Sequence, residues 1–229
     1  MKLSIIIPVY NEEKTIVDIL KIINKVDYKI PFEIVAVNDG STDKTHNLLL
    51  KSKRQFENIR IISYRKNRGK GYALRKGVKN SKGGIIIFQD ADLEYNPRQI
   101  AILIKSIINN ECDVVYGSRF LGKPKNMRLS FFIGNKFLTF VTNLLFGSSL
   151  SDIQTCYKAM PRDIFKKLNL KSDRFEIESE ITSKILKNGY RIKEIPINYK
   201  ARSGKGGKKI KWTDGIKNLA VLLKIRFNL

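Results

Sequence analysis

Two aspartates that stand one residue apart, Asp90 and Asp92, are the strongest chemical signal in the sequence. They follow an apolar run, residues 84–89, that has the composition of a buried strand. Two carboxylates on a chain that leaves a sheet can reach one common point, and Glu94 offers a further oxygen. Oxygen ligands of this kind hold Mg²⁺ or Mn²⁺, and such a cation neutralises a diphosphate. The pattern therefore predicts a divalent cation site that serves a phosphorylated substrate.

Other polar residues also follow apolar runs. Asp39 comes after the second run, where a carboxylate can accept hydrogen bonds from a base or ribose, and Glu12 opens the first predicted helix. Both residues also suit helix caps, a role that is compatible with ligand binding. Arg119, Arg202 and Lys208 are candidates for contact with phosphate. For the basic, glycine-rich run that contains Lys208, a solvated loop is the alternative interpretation.

Several other chemistries find no support in the sequence. The single histidine, His46, lies in a predicted helix without a Ser or Cys partner motif, which argues against a hydrolytic triad. There is no P-loop motif, and Gly69-Lys70-Gly71 does not continue into a dinucleotide-binding fingerprint. The net charge of +23 leaves a nucleic-acid-binding protein as an alternative. However, no helix-turn-helix, RRM or zinc pattern occurs, so we expect no nucleic-acid partner.

Apolar runs alternate with helical segments along the first half of the chain. The predicted strands are Leu3–Val9, residues 32–38, Ile59–Tyr64, residues 84–89 and residues 113–117. This alternation predicts an α/β fold with a mostly parallel sheet flanked by helices. Because ligands bind at the carboxyl ends of the strands in such sheets, the polar residues described above should converge on one edge.

Two basic amphipathic segments lie toward the C-terminus, at about residues 127–147 and at residues 212–229. Helices that combine basic and aromatic residues suit a membrane–water interface, although packing on the protein's own core is the alternative. We expect a catalytic domain over residues 1–211 that includes the first segment. The second segment should form a separate C-terminal amphipathic helix.

The composition adds information about location. Forty-four Lys and Arg residues face 21 Asp and Glu residues, and such an excess favours nucleotide phosphates or an anionic bilayer. Cys112 and Cys156 form no disulfide framework and are predicted to be buried thiols in a reducing compartment. The first apolar run is too short for a signal peptide, and no uncharged stretch of about 18 residues occurs. We therefore expect a peripheral protein at the cytoplasmic face of a membrane, without a spanning helix.

Six motifs together resemble a known family. They are residues 5–13 (IIIPVYNEE), 37–43 (VNDGSTD), 67–71 (NRGKG), 90–92 (DAD), 116–119 (YGSR) and 152–158 (DIQTCYK). The first, second and fourth are similar to the inverting family 2 glycosyltransferases of the GT-A fold. The other three are most similar to dolichol-phosphate mannose and glucose synthases. The resemblance extends over roughly residues 3–212.

The resemblance implies roles for individual residues. The nucleoside would be bound by Pro8, Tyr10, Glu12, Val37 and Asp39. The donor diphosphate would be bound by Asp90, Ala91 and Asp92. Asp92 would also bind the metal, and Glu94 stands where the family often has a glutamine ligand. Phosphates of the donor or acceptor would be met by Arg119, Arg202 and Lys208.

The resemblance also implies the reaction. One hexose would pass with inversion from a nucleotide sugar to a polyprenyl phosphate such as dolichyl phosphate. GDP-mannose is the first expectation for the donor, with UDP-glucose or a UDP-N-acetylhexosamine as alternatives. A phosphate acceptor is already nucleophilic at neutral pH and needs no strong base. Asp92 and Arg119 are thus the expected catalytic residues, and Asp152 is a candidate base or, alternatively, an orienting residue for a cation. Transfer to a glycan hydroxyl is a further alternative.

Overall fold

The computed structural model describes residues 1–202 and 212–229. The strands are β1 (Leu3–Val9), β2 (Phe32–Asp39), β3 (Ile59–Tyr64), β4 (Ile85–Phe88), β5 (Val114–Ser118), β6 (Lys158–Pro161) and β7 (Ile192–Pro196). The helices are α1 (Ile16–Asn24), α2 (Thr45–Gln55), α3 (Lys70–Lys79), α4 (Ile100–Ile108), α5 (Leu129–Phe146), α6 (Arg162–Lys167), α7 (Ile177–Lys187) and α8 (Trp212–Phe227). A short 3₁₀-helix, Pro97–Gln99, leads into α4.

The described strands form one seven-stranded sheet in the order β3-β2-β1-β4-β6-β5-β7. All neighbouring pairs are parallel except those of β6, which runs antiparallel to both β4 and β5. The predicted mostly parallel sheet flanked by helices is therefore confirmed. Because β4 and β5 both run opposite to β6, their carboxyl ends lie at the same edge of the sheet.

The central strands form because they are apolar on both faces. In β1, Leu3, Ile5, Ile6 and Ile7 are fully buried, as expected for a strand that is covered by helices on both sides of the sheet. Helix α3 lies so close to β1 that a Cβ atom at Gly77 would stand 2.4 Å from Cγ2 of Ile6. The sheet edge that carries the polar residues is thus held by close packing beneath it.

Helices α5 and α8 pack together beside the main core. Leu138 of α5 and Leu222 of α8 are buried together with Leu150 and Ile153 in a second apolar cluster. Residue Gly147 ends α5 in the left-handed conformation, with φ +63°, which glycine adopts without strain. Both predicted C-terminal helices are present, and each has one buried face.

The other face of α5 is apolar and exposed. An exposed stripe at helical spacing, 54–73% accessible, is formed by Leu129, Ile133, Phe137, Phe140 and Leu144. By length and composition, this is the one helix among the described residues that could cross a membrane, and 17% of it is buried. This qualifies the prediction that the chain has no candidate spanning segment. A single helix of this kind is weak evidence for a span, because length and composition do not tell crossing from surface contact.

Candidate active site

A cavity of about 930 Å³ opens at the carboxyl ends of the central strands. Most of the residues singled out in the sequence line it: Pro8, Tyr10, Glu12, Asp39, Asp90, Ala91, Asp92, Glu94, Arg119 and Arg202. Val37 is fully buried in β2 and is not among the lining residues, so its side chain is not placed to touch a nucleoside. Asp152 lies behind the wall, fully buried. Lys208 lies outside the described residues.

Asp92 stands in a crowded, negatively charged part of the cavity. Its Oδ2 lies 3.2 Å from Nη2 of Arg202, whose guanidinium also donates to both carboxylate oxygens of Glu12, at 2.9 and 3.0 Å. Burial, together with the nearby charges of Asp90 and Glu94, raises the pKa of Asp92 to about 7. Arg202 was predicted to meet phosphate, whereas here its Nη1 and Nη2 groups donate to carboxylates.

Glu94 joins two segments of the cavity wall. Its Oε2 accepts a hydrogen bond of 2.5 Å from the hydroxyl of Tyr199, and its Oε1 accepts one of 2.9 Å from the backbone N–H of Arg202. Its own backbone N–H donates to Asp92 Oδ1 at 3.1 Å. Both carboxylate oxygens of this buried side chain therefore already hold a donor, which fits a bracing role better than an open ligand position.

Asp90 is held by a buried network of charges. Lys70 Nζ lies 2.9 Å from Asp90 Oδ1 and 3.0 Å from Glu178 Oε1. Glu178 also binds Nζ of the fully buried Lys158. Although burial alone would raise the pKa of Glu178, the two lysines lower it below its ordinary value. Lys70 and Glu178 thus hold Asp90, the first aspartate of the pair, in position. The sequence analysis assigned neither of these two residues a role.

The Asp39 carboxylate accepts three hydrogen bonds from the loop that precedes α3. They come from Asn67 Nδ2 at 2.9 Å and from the backbone N–H groups of Arg68 at 2.8 Å and Gly69 at 2.7 Å. Gly69 has φ +105°, and a Cβ atom there would stand 2.4 Å from the Asp173 carbonyl oxygen, so only glycine fits. Burial raises the pKa of Asp39 despite these bonds. The carboxylate therefore shapes this end of the cavity as well as lining it.

Arg119 is positioned by Asp152. The Asp152 carboxylate accepts two hydrogen bonds of 2.7 Å from Nε and Nη2 of Arg119, and one of 3.1 Å from its backbone N–H. Burial opposes the charge on the guanidinium, but the carboxylate raises the pKa of Arg119 well above its ordinary value. This geometry favours the orienting role for Asp152 over the role of base. The exposed Arg128 and Arg174, which the sequence reasoning did not select, also line the cavity.

The donor set fits a hard divalent cation that is shared with a phosphorylated ligand. Within residues 1–202 and 212–229, no three acidic, His or Cys side chains stand together as a ready cation cage. The excess negative charge around Asp92 is nevertheless what a cation would relieve. Mg²⁺ and Mn²⁺ commonly take one or two carboxylates and fill the remaining positions with phosphate oxygens and water. Asp92 suits this role, with Glu94 adjacent to it.

The sheet, the acidic pair at its edge and the cavity define a glycosyltransferase of the GT-A fold. The chain belongs to glycosyl transferase family 2, whose model matches residues 4–169. It is 33% identical over 212 residues to a UDP-N-acetylglucosamine–dolichyl-phosphate N-acetylglucosaminyltransferase of Methanococcus voltae, with 84% of this chain and 83% of that protein covered.

Two further comparisons agree with this placement. A dolichol-phosphate mannosyltransferase of Pyrococcus furiosus is 27% identical over 216 residues, covering 92% of this chain and 60% of that protein. The fold is similar to that of glucosyl-3-phosphoglycerate synthase from Mycobacterium tuberculosis in complex with Mn²⁺, UDP and glucosyl-3-phosphoglycerate. The TM-score is 0.76 at 18% identity, with 99% of this chain and 80% of that one covered.

Proposed function

We propose that this enzyme transfers one hexose from a nucleoside-diphosphate sugar to a polyprenyl phosphate, with inversion at the anomeric carbon. One observation carries the proposal. A single cavity joins the acidic residues Asp90 and Asp92 to the guanidinium of Arg119, and it is bordered by the apolar helices α5 and α8. This arrangement supports a site with a donor end, an anion-binding group and an apolar border in one continuous space. Those are the three parts that a nucleotide sugar and a lipid phosphate require.

Donor binding is assigned to the end of the cavity near β1 and β2. Pro8, Tyr10 and Asp39 border the space for the nucleoside, and Asp90 and Asp92 border that for the diphosphate. GDP-mannose is our first choice of donor, with UDP-glucose and UDP-N-acetylhexosamine as alternatives. The names of the two relatives above refer to the transfer of different sugars, mannose and N-acetylglucosamine. The comparisons therefore do not identify the sugar, which has to be determined by experiment.

A divalent cation is part of the proposal. Mg²⁺ or Mn²⁺, when held by Asp92 beside the braced carboxylate of Glu94, would supply positive charge that stabilises the departing nucleoside diphosphate. For Asp92 to serve in this way, Arg202 must give up its contact of 3.2 Å with that carboxylate. The released guanidinium would then be available to an oxygen of the diphosphate, the role first expected for it.

The acceptor side requires positioning more than base catalysis. A phosphate monoester is largely dianionic at neutral pH because its second pKa is near 6, so it attacks without losing a proton. Arg119, held rigidly by Asp152, would orient the attacking oxygen in line with the bond that breaks. Arg128 lines the same space from the start of α5. Transfer to a glycan hydroxyl would instead require a free carboxylate base, and Asp152 is fully engaged by Arg119.

The exposed stripe of α5 supports attachment of the enzyme to a membrane surface. Its five apolar side chains share one face, whereas the opposite face is buried against α8 and Ile153. A helix that is apolar outward and fixed to a folded domain on its other side suits an interfacial position. Ile216, Leu223 and Phe227 add exposed apolar area on α8. The net charge of +23 would attract an anionic leaflet to the same protein.

The reaction can be tested directly with the full chain. The assay combines Mn²⁺, a short-chain polyprenyl phosphate in detergent and, one at a time, GDP-mannose, UDP-glucose and UDP-N-acetylglucosamine, with extraction of a glycolipid as the readout. We expect one donor to dominate. Asp92→Ala should abolish transfer while the thermal unfolding curve stays cooperative. Transfer to water-soluble glycans but not to the lipid phosphate would contradict the proposal.

A further inference from the structure

A polar bridge links α8 to the floor of the cavity. Gln154 Nε2 donates to Asn218 Oδ1 at 3.0 Å and to Ser179 Oγ at 2.9 Å, and Ser179 Oγ donates to the same Asn218 oxygen at 2.6 Å. Asn218 Nδ2 donates to the Asp214 carbonyl oxygen at 2.7 Å. Three segments that are distant in sequence thus meet at one amide pair. The bridge fixes both the position and the orientation of the Gln154 side chain.

The bridge lies between the two halves of the proposed reaction site. Strand β6 runs antiparallel to β4 and β5, so the segment that leads into it begins at the same edge where those strands end. Thr155 Oγ1 donates to the Gly117 carbonyl oxygen at 2.6 Å on the β5 side, and the Tyr157 hydroxyl donates to Gln89 Oε1 at 2.6 Å on the β4 side. Gln154 therefore stands between the acidic pair and Arg119.

The hydrogen-bonding capacity of Gln154 is only partly used. Its amide nitrogen donates to Asn218 and Ser179, whereas no described residue donates a hydrogen bond to its Oε1. The side chain is half-buried and lines the cavity, as does Asn218. An amide carbonyl oxygen held in this way can accept a hydrogen bond from a hydroxyl group that lies between the nucleotide sugar and the acceptor phosphate.

Asn218 is a buried polar residue at a position of α8 where packing alone would favour an apolar side chain. The residue is 4% exposed, and the neighbouring contacts of α8 with α5 are made by apolar side chains such as Leu219 and Leu222. A polar side chain in such a place is unfavourable unless it is hydrogen-bonded. Its oxygen serves Gln154 and Ser179, which links α8 to the cavity as well as to the core.

We propose that Gln154, oriented by Asn218 and Ser179, accepts a hydrogen bond from a hydroxyl of the transferred hexose and thereby sets donor-sugar specificity. The inference rests on the proposed function, because it assigns the sugar position of that site. The oriented amide rejects sugars that lack a hydroxyl at the right position, since its oxygen would then be desolvated without a partner. Helix α8 thus contributes to substrate choice through Asn218.

The decisive variant is Gln154→Met, which keeps the length of the side chain and removes the amide. Its kcat/KM should be measured with GDP-mannose, UDP-glucose and UDP-N-acetylglucosamine on the same polyprenyl phosphate. We expect kcat/KM for the preferred donor to fall by about 10- to 100-fold and the ratio between donors to shrink by a similar factor. The affinity for UDP or GDP alone, measured by calorimetry, should change less than twofold.

Two companion variants separate sugar recognition from structural support. Ser179→Ala leaves the acceptor oxygen of Asn218 in place for Gln154 and should retain most of the donor preference, whereas Asn218→Leu removes that oxygen and should reduce it. An unchanged donor ratio in Gln154→Met, with an intact thermal unfolding curve, would overturn the inference and leave the proposed function in place. If the wild-type chain transferred no sugar to a lipid phosphate at all, the proposed function itself would fail.

Discussion

The guanidinium of Arg202 stands 3.2 Å from the carboxylate of Asp92, the residue best placed to hold a cation. The positive charge of Arg202 therefore offsets part of the negative charge that would otherwise attract a metal ion to Asp92. Since the same guanidinium is anchored by both oxygens of Glu12, the contact is part of an organised cluster. We therefore expect that a cation can bind at Asp92 only if Arg202 moves away from that carboxylate.

Arg202→Gln should bind Mn²⁺ more tightly than the wild type in the absence of nucleotide. The change removes a competing positive charge, and a partly exposed pair of this kind contributes up to about 1 kcal/mol, or roughly a fivefold change in affinity. Free Mn²⁺ can be titrated by electron paramagnetic resonance. Arg54→Gln, at the end of α2 and far from the cavity in the fold, is the control and should leave the affinity unchanged. Equal affinities for all three proteins would contradict competition at Asp92.

The stability of the metal-free protein should fall as the pH rises from about 4 to 7, in the part that depends on Asp92. Its folded pKa of about 7 exceeds the unfolded value near 3.9, so the folded state binds more protons in this interval. Asp92→Asn cannot ionise and should be stabilised relative to the wild type by roughly 2.5 kcal/mol more at pH 8 than at pH 5. Urea unfolding at both pH values measures this difference. A constant difference would show that Asp92 ionises normally.

Asp152→Asn should impair binding of the lipid phosphate and destabilise the fold. The substitution keeps the shape of the side chain but leaves the buried guanidinium of Arg119 without a counter-charge, which costs about 3 kcal/mol or more. We expect a higher KM for the polyprenyl phosphate and an unchanged pH dependence of kcat. Loss of a limb from the kcat–pH profile would instead identify Asp152 as a general base.

Charged substitutions on the exposed stripe of α5 should weaken membrane binding without unfolding the protein. Phe140 and Leu144 are 65% and 73% exposed, so Phe140→Glu combined with Leu144→Glu removes apolar contact area and adds negative charge. Sedimentation with vesicles that contain anionic lipid should show at least about tenfold weaker binding. The single variant Phe140→Glu is compared with a matched control, Ile102→Glu on α4, which adds the same charge at a residue that is 54% exposed on another helix. If the control had the same effect, binding would depend on charge alone.

The strands and the motifs at their ends were predictable because each is encoded locally. Continuous apolar runs such as Leu3–Val9 give buried parallel strands, and a polar residue that follows each run falls at the same edge. Strands β6 and β7 were not predicted. Strand β6 is short and starts with Lys158, a fully buried lysine whose charge is met by Glu178. In β7, Lys193 and Glu194 interrupt the apolar residues. No local sequence pattern predicts that the charge of a buried lysine will be neutralised by a glutamate 20 residues away.

The hydrogen bonds and ion pairs between side chains in the cavity wall could not be predicted from the sequence for a similar reason. Arg202 and Glu12 are paired across 190 positions, and Gln154 and Asn218 across 64. These contacts depend on how loops and helices close over the sheet. Arg119 and Asp152 were both selected, but only the geometry distinguishes an orienting carboxylate from a base.

The reversed strand β6 has a further consequence, for the dimensions of the reaction site. Since β6 separates β4 from β5, the chain ends that carry Asp90 and Arg119 are set two strand spacings apart, or roughly 10 Å. The backbone hydrogen bonds of the sheet thereby fix the distance between these two chain ends, and side-chain substitutions leave those bonds intact. A family member could exchange its donor or acceptor by altering loops and helices while this interval stayed constant.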